Sequence, residues 1–309
     1  MMLKSNVIIF MGTHDGAPYL KEQLRSLSTQ TFTNWELWIS DDASTDRTQA
    51  IIHEYQQANP HHPIFFEQGP NRGFAANFLS LACNSKAQAT YYAFADQDDI
   101  WEADKLKRAI DWLQTAPHDQ PALYCSRTQL IDEQGKNIGY SPLFCKAPGF
   151  KNALIQNIGG GNTMVFNQAT INLLRSAGMD CDIIAHDWWT YMLVTGAGGM
   201  VYYDKEPSLR YRQHAVNLIG SNIGWRAKLK RMSLLFQGRF DTWNNVNTQA
   251  LFINKELLTQ ENQAILTAFI SARQYTSLLR MFKIKQLGLY RQTFLGNLAL
   301  SLAALCNKF

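Results

Sequence analysis

Four apolar runs, each closed by a polar turn and separated from the next by a stretch of helical periodicity, constrain this chain most: Val7 to Phe10, Trp35 to Ile39, Ile64 to Phe66 and Tyr91 to Phe94. A continuous apolar run suits a strand buried on both faces. The intervening segments carry Leu20, Leu24 and Leu27, then Ile51, Ile52 and Tyr55, then Phe74 to Cys83, each spaced to lay an apolar stripe along a helix. Pro18 suits a first helical position, and the Asp41 to Asp46 turn offers capping residues. Strands joined through helices run parallel, with helices covering both sheet faces. The predicted class is α/β, a Rossmann-like, mostly parallel sheet flanked by helices with a ligand crevice at the carboxyl ends of its strands. The turns Gly12 to Gly16, Asp41 to Asp46, Gly69 to Gly73 and Asp96 to Asp99 all follow strands, so they gather on that edge.

At 309 residues the chain has room for one large domain or two. Past Gln114 the rhythm changes to a mixed region holding Gly159-Gly160-Gly161 and Trp188-Trp189, which runs to Tyr211-Arg212-Gln213-His214. The predicted division is residues 1–216, with a nucleotide-binding part of about 1–115 and an acceptor-binding part of about 116–216, and a helical, basic region 217–309. From Val216 onward there are 12 Lys+Arg against 3 Asp+Glu, and before it 17 against 22. A basic tail of this kind meets phosphates, nucleic acid or an anionic membrane surface. Within it Trp225, Leu229, Leu234, Leu235 and Phe236 alternate with Arg226, Lys228, Lys230 and Arg231, which suits either an interfacial helix or a solvated basic face packed on the main domain.

The five cysteines form no CxxC pair, so neither a disulfide framework nor a zinc site is expected, and a cytoplasmic setting fits, peripheral to the inner membrane face if the tail binds lipid. The amino-terminal apolar stretch meets Gly12 at once and reads as a strand, not a signal peptide. Leu295 to Cys306 falls short of the roughly 20 apolar residues a membrane span requires.

Asp96, Gln97, Asp98 and Asp99 form the densest acidic run, directly after a buried strand. In extended backbone Asp96 and Asp98 face one way and Gln97 the other. Converging carboxylates repel unless a hard divalent cation sits between them, and oxygen-only ligands suit magnesium or manganese, which also bind substrate phosphates. The plain alternative is a solvated turn in which Asp99 caps a helix from Ile100 to Leu113. Asp42 and Ser44 suit helix capping when taken alone; with Asp15 and the acidic run on the same edge, they suit a nucleotide site. Asp187, between His186 and two tryptophans, is a carboxylate whose partial desolvation raises its affinity for a proton, as a general base requires. Trp188 and Trp189 are either core aromatics, with Asp187 then a helix cap, or a surface for stacking a sugar, and Gly160 and Gly161 either permit close approach of an acceptor or mark a turn.

These segments, in the order VIIFMGTHDG, QTFTNWELWISDDASTD, NRGFAANF and YYAFADQDDIW, resemble glycosyltransferase family two, the inverting enzymes with a GT-A fold. GGGNTMVFN, HDWW and YRQHAVN are similar to its bacterial rhamnosyltransferase-like members, which build O-antigen and other surface polysaccharides, so the resemblance covers about residues 5–215. It implies that one sugar, such as rhamnose from dTDP-rhamnose, moves from a dTDP- or UDP-sugar donor to a glycan or lipid-linked acceptor with Mg2+ or Mn2+. By matching positions, Asp42 recognises the base, Asp96 the ribose or metal, Asp98 is the principal metal ligand and Asp187 the catalytic base. Thr13, His14, Asp15, Arg72 and Gln97 fall among donor contacts, Gly160, Gly161, Trp188 and Trp189 among acceptor contacts, and His214 where some relatives contact metal or diphosphate. A hydrogen-bonded structural role is the alternative for His214.

The chain departs from the family at His14, where many members carry a base-stacking tyrosine, and at Asp15, where an asparagine is usual. It lacks the QxxRW signature of processive synthases, so a single addition is expected. Two other classes fit less of the pattern. A nucleotidyltransferase also pairs aspartates on an α/β sheet, but no glycine-rich phosphate loop with a partnered lysine lies near the first strand. A non-catalytic sugar-binding module leaves the acidic run unexplained, and binding of nucleic acid is opposed by that same negative charge.

Overall fold

A computed structural model describes residues 6–214 and 239–308. Among them a seven-stranded sheet is built from β1 (Val7–Thr13), β2 (Trp35–Asp41), β3 (Ile64–Gln68), β4 (Tyr91–Ala95), β6 (Ala122–Ser126), β9 (Val165–Asn167) and β10 (Met200–Asp204), in the spatial order β10-β6-β9-β4-β1-β2-β3. Strands β1 to β4 are parallel where they pair, as is β10 with β6, while β9 runs antiparallel to both β4 and β6. The four apolar runs are thus strands, and each lasts one to three residues longer than its apolar core because ladder bonds carry the chain to the polar edge.

Alternate residues of β1 feed two cores. Ile8 and Phe10 pack with Tyr92, Phe94 and Phe166 in a cluster that also takes in α3 (Phe74–Cys83), the short α5 (Phe150–Ala153), α6 (Gln168–Ala177) and α7 (His186–Gly196). Val7, Ile9 and Met11 pack with Leu37, Ile39 and Ala93 under α1 (Leu20–Ser28), α2 (Thr48–Ala58) and α4 (Lys105–Leu113). This is why the strand could be apolar at every position: each side chain, up or down, meets a helix.

A four-stranded sheet of β5 (Ile100–Trp101), β11 (Leu209–Arg212), β7 (Gln129–Ile131) and β8 (Asn137–Tyr140) lies beyond the acidic run. Its antiparallel β5–β11 pair, Leu209 opposite Trp101 and Arg210 opposite Ile100, returns the chain to the strand ends more than a hundred residues later in sequence. Here the expected helix from Ile100 is corrected: residues 100–101 are strand, α4 begins at Lys105, and Asp99 caps nothing. Likewise α1 begins at Leu20, so Pro18 lies in the preceding turn.

Residues 239–308 form helices, of which Arg239–Ile253, Gln260–Gln274, Ser277–Gln286 and Phe294–Leu305 are the longest. Leu251, Leu266, Phe269 and Leu300 join the same buried cluster as Trp188 and Leu193. No helix among the described residues is long and apolar enough to cross a membrane. The Trp225 to Phe236 segment lies outside the described residues.

Candidate active site at the strand ends

Hydrogen bonds tie the turns after β1, β2 and β4 into one edge. Gln97 grips the His14 backbone from both sides, its Oε1 accepting from His14 N at 2.8 Å and its Nε2 donating to His14 O at 2.9 Å. Thr13, buried, donates to Asp41 at 2.7 Å, and Asp15 accepts from the Thr45 amide at 2.7 Å while its own amide donates to Ser44 at 2.9 Å. Backbone amides around Asp15 hold its carboxyl below the usual range. Asp15, Ala43 and Asn71, one in each of the first three turns, have left-handed backbone at φ 46°, 66° and 51°. Short polar side chains adopt that conformation at low cost, which suits asparagine and aspartate in such turns.

Asp42 is buried at the base of this edge. Its Oδ2 accepts from Gly73 N at 2.8 Å, pinning the turn after β3, whereas Oδ1 has no hydrogen-bond partner among the described residues. A buried carboxylate oxygen left without a donor is costly, and a ligand N–H would satisfy it. Arg72, beside Gly73, is exposed. Neither Asp42 nor Ser44 caps α2; Asp46 instead accepts from Thr48 N at 2.8 Å.

Beyond β4, one carboxylate oxygen each from Asp96, Asp98 and Asp99 lies within 4.8 Å of the others. Burial, then the neighbouring charges of Asp98 and Asp187, push the Asp96 carboxyl up to about 8; burial and both neighbours also push Asp99 far above its ordinary value. Three oxygen donors that cannot all ionise together fit a hard divalent cation. His214 Nε2 lies 2.7 Å from Asp98 Oδ2 and its ring stacks on Tyr19. Asp99 is fixed by Asn162 Nδ2 at 2.5 Å and by the Arg212 amide at 3.2 Å, while the fully buried Arg212 side chain donates to Asp98 O and Glu22. Lys105, also buried, donates to Asn162 O at 2.6 Å; desolvation lowers its pKa to about 7 against the opposing pull of Asp99 and Asp96. A cation must displace the Asp96 proton, so manganese affinity is expected to rise as pH rises toward about 8. The cation-induced increase in melting temperature should therefore be larger at pH 8 than at pH 6, as scanning calorimetry at both values will show.

Asp187 sits in the first turn of α7, 8% exposed, where its carboxylate accepts from Trp188 N at 2.6 Å and Gly161 N at 3.1 Å. Burial outweighs those bonds and raises its pKa to about 6, a value at which it is ionised at neutral pH yet basic enough to take a proton. Gly161 is required here. A Cβ on it would lie 2.3 Å from Nε2 of His186, a buried ring stacked 3.9 Å from Phe78 that burial keeps neutral, its pKa pushed down to about 3. Gly161→Ala is expected to cost about 1–3 kcal/mol in a denaturant melt, since that buried ring is packed against Phe74, Phe78 and Phe94.

The structure therefore brings Asp42, Asp96, Asp98, Asp187 and His214 to the same edge, with Gly160 and Gly161 in the loop that holds Asp187. Thr13 and Gln97 spend their side chains on internal bonds. The acceptor surface expected at Trp188 and Trp189 is corrected: they are 5% and 0% exposed, Trp188 Nε1 donates to Ala153 O at 2.7 Å, and both belong to the core. Asp99, Lys105, Asn162 and Arg212 were missed as site residues. Asp99 adjoins the recognised pair; the others reach it only through tertiary packing.

A family model described as glycosyl transferase family 2 matches residues 8–171. The chain is 32% identical to dTDP-rhamnosyl transferase RfbG of Shigella flexneri over 73% of its own length and 78% of that protein. It is 29% identical to the putative teichuronic acid biosynthesis glycosyltransferase TuaG of Bacillus subtilis over 36% of its length and 42% of TuaG. Among solved structures it resembles TarS 1–349 of S. aureus in complex with UDP-GlcNAc, with a TM-score of 0.54 and 14% identity over 98% of this chain and 89% of that one. It also resembles the mannosyltransferase PcManGT of Pyrobaculum calidifontis in complex with GDP-Man and Mn2+, with a TM-score of 0.50 and 18% identity over 99% and 87%. With the crossover topology and the strand-end carboxylates already in view, these likenesses establish that the chain belongs to glycosyl transferase family 2 and has its GT-A fold.

Proposed function

We propose that this glycosyltransferase moves a single sugar, rhamnose from dTDP-rhamnose, onto a glycan or lipid-linked acceptor in surface polysaccharide synthesis, with inversion at the anomeric carbon. The observation that carries the chemistry is the placement of the Asp96, Asp98 and Asp99 carboxylates on the same edge as Asp187, a buried carboxylate with a raised pKa. The donor sugar rests on the likeness to the dTDP-rhamnosyl transferase. Asp42 Oδ1 would accept from a base N–H, and the acidic run would hold the diphosphate end with Mg2+ or Mn2+. Such a cation supplies Lewis-acid neutralisation of charge on the departing diphosphate. Asp187 takes the acceptor hydroxyl proton; the hydroxyl oxygen forms a bond to the anomeric carbon as its bond to the diphosphate oxygen breaks, and the nucleoside diphosphate leaves. His214, against Asp98, orients that carboxylate and would contact metal or diphosphate. The basic C-terminal residues provide peripheral contact with anionic lipid.

The test is a product assay with dTDP-rhamnose, UDP-GlcNAc and GDP-mannose against an acceptor extract, with NMR of the new linkage. Rhamnose transfer with an inverted anomeric centre is expected; retention of configuration, or turnover only of another donor, would overturn the corresponding part.

A further inference from the structure

The helices Ser277–Gln286 and Phe294–Leu305 are an antiparallel pair, for the Ser277 amide at the start of one donates to the Asn307 side chain just past the end of the other at 2.8 Å. One face of each is buried, through Ile284 on the first and Leu300, Ala303 and Ala304 on the second. The other face is apolar as well. Leu278, Leu279 and Phe282 are 67%, 48% and 61% exposed, and Phe294, Leu295, Leu298 and Leu302 are 83%, 65%, 50% and 47% exposed. The spacings 278, 279, 282 and 294, 295, 298, 302 place each set along one side of its helix. Seven large apolar side chains on two packed helices exceed the scattered exposure of an ordinary surface.

Charge selects the occupant. After Glu261 the sequence contains no aspartate or glutamate; Arg273 is taken up by an ion pair with Asp241, and Arg280 and Arg291 donate to backbone carbonyls, so the basic groups that flank the apolar set are Lys283 and Lys285 on the first helix and Lys308 just past the second. A two-fold contact between copies would set this positive face against itself. An anionic lipid surface instead receives the apolar side chains and neutralises the basic ones together.

We infer that this helix pair is a membrane-docking surface that seats the protein on anionic phospholipid. The inference deepens the lipid contact proposed above and gives it a surface distinct from the Trp225 to Phe236 segment.

The test uses the full chain, without donor, in cosedimentation with phosphatidylglycerol-containing vesicles and with phosphatidylcholine vesicles, at low and high ionic strength. Wild-type protein is expected to bind the anionic vesicles, less so at high salt. The combined variant L278S/F282S/F294S/L298S, whose positions are exposed, should keep its melting temperature and lose vesicle binding about tenfold or more. K283Q/K285Q should weaken binding to anionic vesicles and reduce its salt dependence. Absence of wild-type binding overturns the inference, as does undiminished binding by the serine variant. So does conversion by that variant of a dimer to a monomer with vesicle binding unchanged, which would mark a self-association face. Binding of nucleotide sugars is measured separately: its loss in both proteins would strike the enzymatic reading and leave the vesicle result standing.

Discussion

Asp98→Asn is expected to lower sugar transfer on the order of a thousandfold and to abolish the manganese-dependent rise in melting temperature. Asparagine keeps the shape of the side chain and its capacity to meet His214, which lies 2.7 Å from Asp98 Oδ2, but removes the negative charge. That charge is among the causes that raise the proton affinity of both Asp96 and Asp99. Two consequences separate a metal ligand from a structural residue. The metal-free variant should melt no lower than the wild type, because a like charge has left a crowded cluster. The pH dependence of its melting temperature should also flatten. Asp96 is protonated to a higher pH in the folded chain than in the unfolded one, so its ionisation withdraws stability as pH climbs from the ordinary carboxylate range toward about 8. Lowering its proton affinity by neutralising Asp98 narrows that window. A variant that simply unfolds would show neither behaviour.

Asp187→Asn carries the second large effect. Transfer should fall on the order of a thousandfold in kcat while donor affinity changes little, since the base acts on the acceptor. In the wild type kcat/KM should rise with pH through about 6, as the buried carboxyl loses its proton, and the variant should lose that limb. Both Asp187 oxygens accept from backbone amides, Trp188 at 2.6 Å and Gly161 at 3.1 Å, so an amide group in their place meets at least one donor with a donor. A stability loss of about 1–3 kcal/mol is expected alongside the kinetic one. Rate and pH profile, measured well below the variant's melting temperature, keep the two apart.

What the sequence made legible were the features that local chemistry determines. The apolar runs announced strands because each β1 side chain is buried, whichever way it points. The turns announced the crevice because parallel crossover connections leave all these strand ends on one side. Asp96 and Asp98 were found for that reason. What escaped was set by distant pairing. Arg212 meets Asp98 O and the Asp99 carboxylate only because β11 pairs with β5, and Lys105 enters only because α4 starts five residues later than the spacing predicts. In Trp188-Trp189 the aromatic character was plain but the facing was not: a helix buried all round shows no polar side in its sequence, and α7 is buried at every position. The C-terminal helices show the converse, since their apolar character signals burial and the structure leaves much of it outside.

The central claim is a nucleotide-sugar site that works with a divalent cation at the ends of the strands. Calorimetric titration with dTDP-rhamnose, UDP-GlcNAc and GDP-mannose, with manganese and then with the metal chelated, tests it most directly. The expected result is saturable binding of dTDP-rhamnose that weakens at least tenfold on chelation and is missing in Asp98→Asn. Binding of equal strength with and without metal, unchanged in Asp98→Asn, would contradict it.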